Sequence, residues 1–180
     1  MNELKIKSAL LENLNFVNET KTPEIQFTKD STTVYLYLER KKSNFFDGFL
    51  GFGTNEDNGK IEFNGYLDLN LINNLNFGES LNLMYKSNEL EQRFFEANIS
   101  APYILGSPLG AKLSLNIFKK DSTFTTTNQK VNVFYNINPK NEFSLGYNSI
   151  QSNLIANQEL VDNLSDYKSR FFNATYNFIN

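Results

Sequence analysis

The stretch "GKIEFNGYLDLNLINN", residues 59–74, sets Ile61, Phe63, Leu67, Leu69 and Leu71 on one parity and Glu62, Asn64, Asp68 and Asn70 on the other. Successive side chains of an extended chain point to opposite sides of a sheet, so this alternation reads as a β-strand with one apolar and one polar face. The function turns on whether the apolar face meets a protein core or lipid.

Outward from this stretch the pattern repeats. From Phe45 on, alternating segments separated by turn residues predict strands over 45–53, 60–72, 75–86, 91–101, 108–119, 124–137, 141–151 and 168–179, with no helical periodicity between them. Their apolar parities include Leu75/Phe77/Leu81/Leu83/Tyr85, Leu109 to Ile117, Val131 to Ile137, Phe143/Leu145/Tyr147 and Phe172 to Phe178. Strands of about ten residues exceed the usual globular length of roughly 5–6 and match the roughly 9–11 that a transmembrane strand needs. The links at 73–74 ("NN") and 138–141 ("NPKN") are short and the one at 152–167 is long. That predicts short turns at one end of the sheet and longer loops at the other, with "APYILGSPLG" a partial exception.

A soluble sandwich or lipocalin-like barrel would turn the same apolar parity inward. The polar parity favours the opposite arrangement. Phe118, Phe134 and Tyr66 stand there among Asn and Lys, as in a wet lumen, while Tyr and Phe of the apolar parity gather near strand ends like an interfacial girdle. The absence of Trp counts against the girdle, since Trp often marks that level. The fold class expected is all-β: an antiparallel transmembrane β-barrel meander of about eight strands.

Composition narrows the function. The 180 residues carry a net charge of -3 with no basic run, which argues against a nucleic-acid partner. With no Cys and no His, thiol nucleophiles, imidazole bases and the commonest transition-metal ligands are missing, so no enzyme, cofactor or metal centre is expected. "TNEDNGKIE" at 54–62 departs from the EF-hand spacing and its Asn58-Gly59 reads as a hairpin turn. "GFLGFG" at 48–53 lacks the Lys-Ser/Thr ending of a phosphate loop. Glu62 and Asp68 read as ordinary lumen charges. Residues 1–20 hold no apolar run like a signal peptide's, being broken by Asn2, Glu3, Lys5 and Lys7, so the chain as written carries no expected export address.

Ahead of the repeats, "ELKIKSALLENL" at 3–14 places Ile6, Leu10 and Leu14 at helical spacing, and "PEIQFTK" and "TTVYLYLERKK" read as two strands joined through Asp30-Ser31. The expected organisation is therefore a helix plus two strands over 1–42 and the barrel strands over 43–180.

The segments "VYLYLERKKSNFFDGFLGFG" (34–53), "GYLDLNLINNLNFGESLNLMY" (65–85), "EANISAPYILGSPLGAKLSLNIFKKDSTF" (96–124) and "FSLGYNSI" (143–150) resemble outer-membrane assembly proteins of the BamA/TamA type, the bacterial surface antigen family. The junction after residue 42 and the motifs "NLNFG" at Asn74–Gly78 and "PYILGSP" at Pro102–Pro108 carry the resemblance most specifically. It implies that 1–42 is the end of a periplasmic POTRA-like module and 43–180 the first half of a larger barrel. The Arg-Gly-Phe-type motif of that family's sixth external loop has no match here. The resemblance implies a noncatalytic factor that inserts or translocates proteins at the outer membrane. Its partners would be the lipid bilayer, unfolded outer-membrane clients and periplasmic or accessory assembly subunits. A small complete eight-stranded barrel with a structural or adhesive role, and a soluble barrel binding an apolar ligand, stay open as alternatives.

Two sets of residues follow. The lipid-facing set is Ile61, Phe63, Leu67, Leu69, Leu71, Leu81, Leu83, Leu113, Leu115, Ile117, Val131, Val133, Leu145 and Tyr176. The second set is a weak seam in the first barrel strand: Asn44, Phe45, Phe46, Asp47, Gly48, Gly51 and Gly53. Glycines strip a strand of side-chain contacts and loosen its register, leaving an edge for a client strand to join. The same glycines would also serve to relieve crowding at a sharp bend.

Overall fold

The computed structural model describes residues 14, 16–54, 59, 61–87, 92–120, 123–138, 140–155 and 165–178. The chain divides into two compact units, Met1–Ser43 and Asn44–Asn180.

The first unit holds an antiparallel hairpin of β1 (Val17–Phe27) and β2 (Thr32–Arg40). Its turn closes through Thr28, whose N–H donates to the Ser31 carbonyl at 2.8 Å. Pairing slips between Glu19 and Lys21 and again between Lys21 and Glu24. Pro23 lies in the second slip, where a residue with no N–H costs the ladder nothing. This is why β1 runs back to Val17 instead of starting near Pro23. The helix expected over 3–14 lies outside the described residues except for Leu14. A hairpin alone is a marginal structure common to many modules, so it does not by itself identify a POTRA-like one.

The second unit is one antiparallel sheet of eight strands: β3 (Phe45–Thr54), β4 (Ile61–Ile72), β5 (Ser80–Ser87), β6 (Gln92–Ala101), β7 (Leu109–Lys120), β8 (Phe124–Asn138), β9 (Asn141–Leu154) and β10 (Tyr167–Phe178). The strands pair in chain order from β3 to β10, the meander expected of consecutive antiparallel segments. Among the described residues β3 pairs only with β4 and β10 only with β9.

The register lines the faces up across the sheet. One row runs Leu71–Leu81–Ile99–Leu113–Val131–Tyr147–Phe172, and another runs Ala101–Ala111–Val133–Leu145–Ala174. The opposite face carries Asn70–Asn82–Asn98–Ser114–Lys130–Asn148. Burial is inverted relative to a soluble sheet. On β8, Val131, Val133, Tyr135 and Ile137 are exposed while Phe134, on the polar face, is 4% exposed. On β9, Phe143 and Leu145 are exposed and Ser144 between them is buried. Only a sheet curled with its polar face inward covers that face and opens the apolar one.

Phe134 shows how the inner face packs. Its ring lies across Gly110, where a Cβ would meet ring carbons at 2.1 and 2.4 Å, and the Lys112 ammonium sits 4.7 Å from the ring centroid. The side-chain oxygens of Asn128, Asn132 and Asn148 on this face are covered yet accept no hydrogen bond from the protein.

Two expectations need correction. The strand read over 75–86 begins at Ser80. Asn73, Asn76 and Gly78 adopt positive φ of 55°, 64° and 75°, which turn the chain out of the ladder. Glu79 then closes the loop: its carboxylate accepts from the N–H groups of Leu75 and Phe77, and its carbonyl from Asn73 N–H at 2.7 Å. Leu75 and Phe77 are therefore exposed loop residues. The sorting of connections by length also fails. At the end where β3 begins, the links 73–79 and 102–108 are longer than the link 121–123 at the other end. Chemistry separates the two ends instead. The segments 55–60, 88–91, 121–123 and 155–166 contain Glu56, Asp57, Glu89, Glu91, Asp121, Glu159, Asp162 and Asp166 against one Lys. The links at the other end, 73–79, 102–108 and 139–140, contain only Glu79 and Lys140 as charges.

Candidate functional site

The residues expected to form a seam occupy the edge strand β3 and the position just before it. The register with β4 runs without a break from Phe45↔Asn70 to Thr54↔Ile61. That places Phe46 and Gly48 on the apolar face and Phe45, Asp47, Gly51 and Gly53 on the polar one, because Leu69 and Leu67 oppose the first pair.

The two halves of β3 are held differently. In the lower half the Asn44 side chain accepts from Ile72 N–H at 2.9 Å and donates to the Asn74 side chain at 2.8 Å, stitching the strand's start to the end of β4 and its loop. Asp47 accepts from the Tyr66 hydroxyl at 2.9 Å, which offsets the like charge of Asp68 directly across the ladder. A Cβ on Gly48 would lie 3.1 Å from the Tyr66 carbonyl oxygen of β4. In the upper half, Gly53 has nothing within 4 Å of where a Cβ would stand, and Phe52 is 82% exposed. Among the described residues no side-chain hydrogen bond joins that half to β4.

Sequence reasoning passed over Gly65, on β4. Its φ is 135°, and a Cβ there would lie 1.9 Å from the Phe49 carbonyl oxygen. Only glycine lets β4 approach β3 this closely. A glycine inside an otherwise alternating strand is itself a signal of close backbone approach, and it stands in the stretch that decides the fold.

The fourteen residues expected to meet lipid all fall on one face by register, since each lies on the rows of Leu69, Leu71 or Val133 or at an even spacing from them. Phe95, Ala97, Ile99, Ala111 and Phe172 share that face. The apolar band is not level with the register rows. The row through Leu71 and Phe172 is the band's lower edge on β4, where it rises to Ile61. It is the upper edge on β10, where the band continues down to Phe178 and Arg170 lies above. Between β4 and β10 the band's centre moves by about eight residues over about six strand spacings, roughly 27 Å against 29 Å, an angle near 40°. Strands of a closed barrel tilt by about 35–45° from its axis. At that tilt the run from Ile61 to Leu71 is about 25 Å tall, the height of the outer apolar band of a membrane barrel.

A solved structure similar to this chain is the crystal structure of BamA from Haemophilus ducreyi lacking POTRA domains 1–3, with a TM-score of 0.53 and 14% sequence identity. The match covers 98% of this chain and 38% of that one, so the chain spans well under half of its neighbour's length. The likeness is one of barrel fold. No protein-family model and no curated protein sequence matches the chain.

Proposed function

We propose that this chain is part of an outer-membrane β-barrel whose first strand, β3, receives strands of unfolded client proteins, so that it serves protein insertion or translocation. The tilt of the apolar band carries the membrane assignment. A soluble barrel packs its apolar face inward, and nothing then requires exposed Leu, Val and Tyr to keep one level across tilted strands. A flat slab of hydrocarbon requires it. The working chemistry is backbone hydrogen bonding, with no catalytic group, cofactor or metal. On this reading the hairpin unit would lie in the periplasm, where accessory assembly subunits would meet it.

The seam assignment rests on β3 being an edge with three glycines and a loosely packed upper half. An edge strand offers a row of N–H and C=O groups, and β-augmentation uses such a row for affinity. The test uses the absence of native Cys. Single Cys residues at Phe52, Thr54 and Asn116 are placed in the full chain in lipid and offered an unfolded outer-membrane protein with one Cys in a strand. Disulfides at Phe52 and Thr54 with none at Asn116 are expected. Crosslinks confined to Asn116 would sink the seam assignment.

A further inference from the structure

We infer that two of the three links at the end where β3 begins, 73–79 and 102–108, dip into the boundary between lipid headgroups and acyl chains and anchor that rim of the barrel in its leaflet. The partner is a lipid surface, and the inference rests on the membrane reading above. The first observation is level. The band's lower edge passes Leu71 on β4, Ala101 on β6 and Leu109 on β7, so both links leave the sheet where the apolar slab ends.

The second observation is the chemistry of the tips. Leu75, Phe77, Tyr103 and Ile104 are exposed, and Leu105 is 100% exposed. Leu105 also holds φ 54° and ψ 31°, a left-handed conformation that leucine rarely adopts. Neither link is slack. Glu79 clamps Leu75 and Phe77, the Asn73 side chain accepts from Gly78 N–H at 2.8 Å, and Ser107 Oγ donates to the Ile104 carbonyl at 2.7 Å while accepting from Leu109 N–H at 3.2 Å. Both links thus spend their polar contacts on holding apolar tips out from the protein. Water gives no return for that arrangement; an interface does.

The absence of native Trp makes depth measurable. Single-Trp variants Phe77→Trp, Leu105→Trp and Leu113→Trp, with Tyr103→Trp as an aromatic-for-aromatic alternative and Thr32→Trp as the water-exposed reference, are placed in vesicles of phosphatidylcholine brominated at shallow or deep acyl positions. The loop variants should emit to the blue of Thr32→Trp and be quenched most by shallow bromines, whereas Leu113→Trp should be quenched most by deep ones. Loop emission like that of Thr32→Trp, beside a quenched Leu113→Trp, would overturn the anchoring and leave the membrane reading standing. Blue-shifted loop emission that no bromolipid quenches would mean a protein covers the tips, and would equally overturn it. An unquenched Leu113→Trp would remove the membrane reading and the anchoring together.

Discussion

The edge strand β3 and the middle strands β7 to β9 belong to one sheet but are held by different means. In the middle, each ladder is reinforced by side chains on the inner face: Phe134 fills the space over Gly110, and Asn132 and Asn173 close over Gly146. At the edge, the upper half of β3 is joined to β4 by its ladder, with no side-chain hydrogen bond among the described residues. Ladder bonds exchange protein partners for water or another strand at modest net cost, whereas side-chain packing must be dismantled. On the proposed function, the middle stays closed and the edge exchanges.

The strongest way to break this contrast is to empty the middle. Phe134→Ala should lose about 3–5 kcal/mol of unfolding free energy. Phe52→Ala on the exposed edge should stay within about 0.5 kcal/mol. Equal shifts in urea midpoints for the two variants in lipid would erase the distinction.

Next in size is the difference between the two faces of a middle strand. Leu115→Arg should lower stability by about 2–4 kcal/mol near the bilayer midplane, and Asn116→Arg by much less, because the arginine then meets the lumen. Refolding yields into vesicles, compared side by side, check the facing of β7 directly.

A smaller effect sharpens the edge itself. Gly51→Val with Gly53→Val adds β-favouring side chains where open space or ordinary contact distance awaits them. Stability should rise by about 0.5–1 kcal/mol. Client crosslinking at Thr54 should nonetheless fall, because a better-ordered edge exchanges more slowly. Stability and crosslinking rising together would show that these glycines only relieve crowding.

The smallest effect concerns the stitched lower half. Burial tends to raise the Glu79 pKa, but the hydrogen bonds from Leu75, Glu79, Phe77 and Asn74 N–H groups outweigh it, and the carboxyl is held below its ordinary value. A depressed folded pKa stabilises the loop above the ordinary Glu range and loses that stabilisation as pH falls through the depressed value. Amide exchange at Leu75 and Phe77 should quicken on acidification through that range, relative to the exchange expected of an open chain at the same pH. Glu79→Gln should abolish the pH dependence. Because Asn74 holds Asn44, loosening should spread to the start of β3.

Alternation made the sheet legible. Period 2 over 61–71 and its repeats specifies strand, face and pairing order together, and burial on β8 and β9 follows the same parity. What alternation does not record is backbone conformation. The residues 73–79 continue an apolar parity through Leu75 and Phe77, yet the left-handed angles at Asn73 and Asn76 win because Asn tolerates them and Glu79 satisfies the freed N–H groups. The strand β3 was legible, with its run of glycines. Its asymmetry was not, because it depends on Asn44, Asp47 and Gly65 meeting residues of β4 and its loop across the ladder. The slope of the apolar band needed the register, which no single strand contains.

The uninterrupted pairing of β7 with β8, from Leu109↔Tyr135 to Lys120↔Phe124, bears on which changes of length the gene can absorb. Losing one residue from mid-β8 would turn every later side chain of that strand to the opposite face of the sheet, exchanging its valines and asparagines. Losing two would restore the facing but slide the strand by about 7 Å past its neighbours. Insertions and deletions in relatives of this chain should therefore gather in the connections, and any inside a strand should come in even steps matched by the strand beside it.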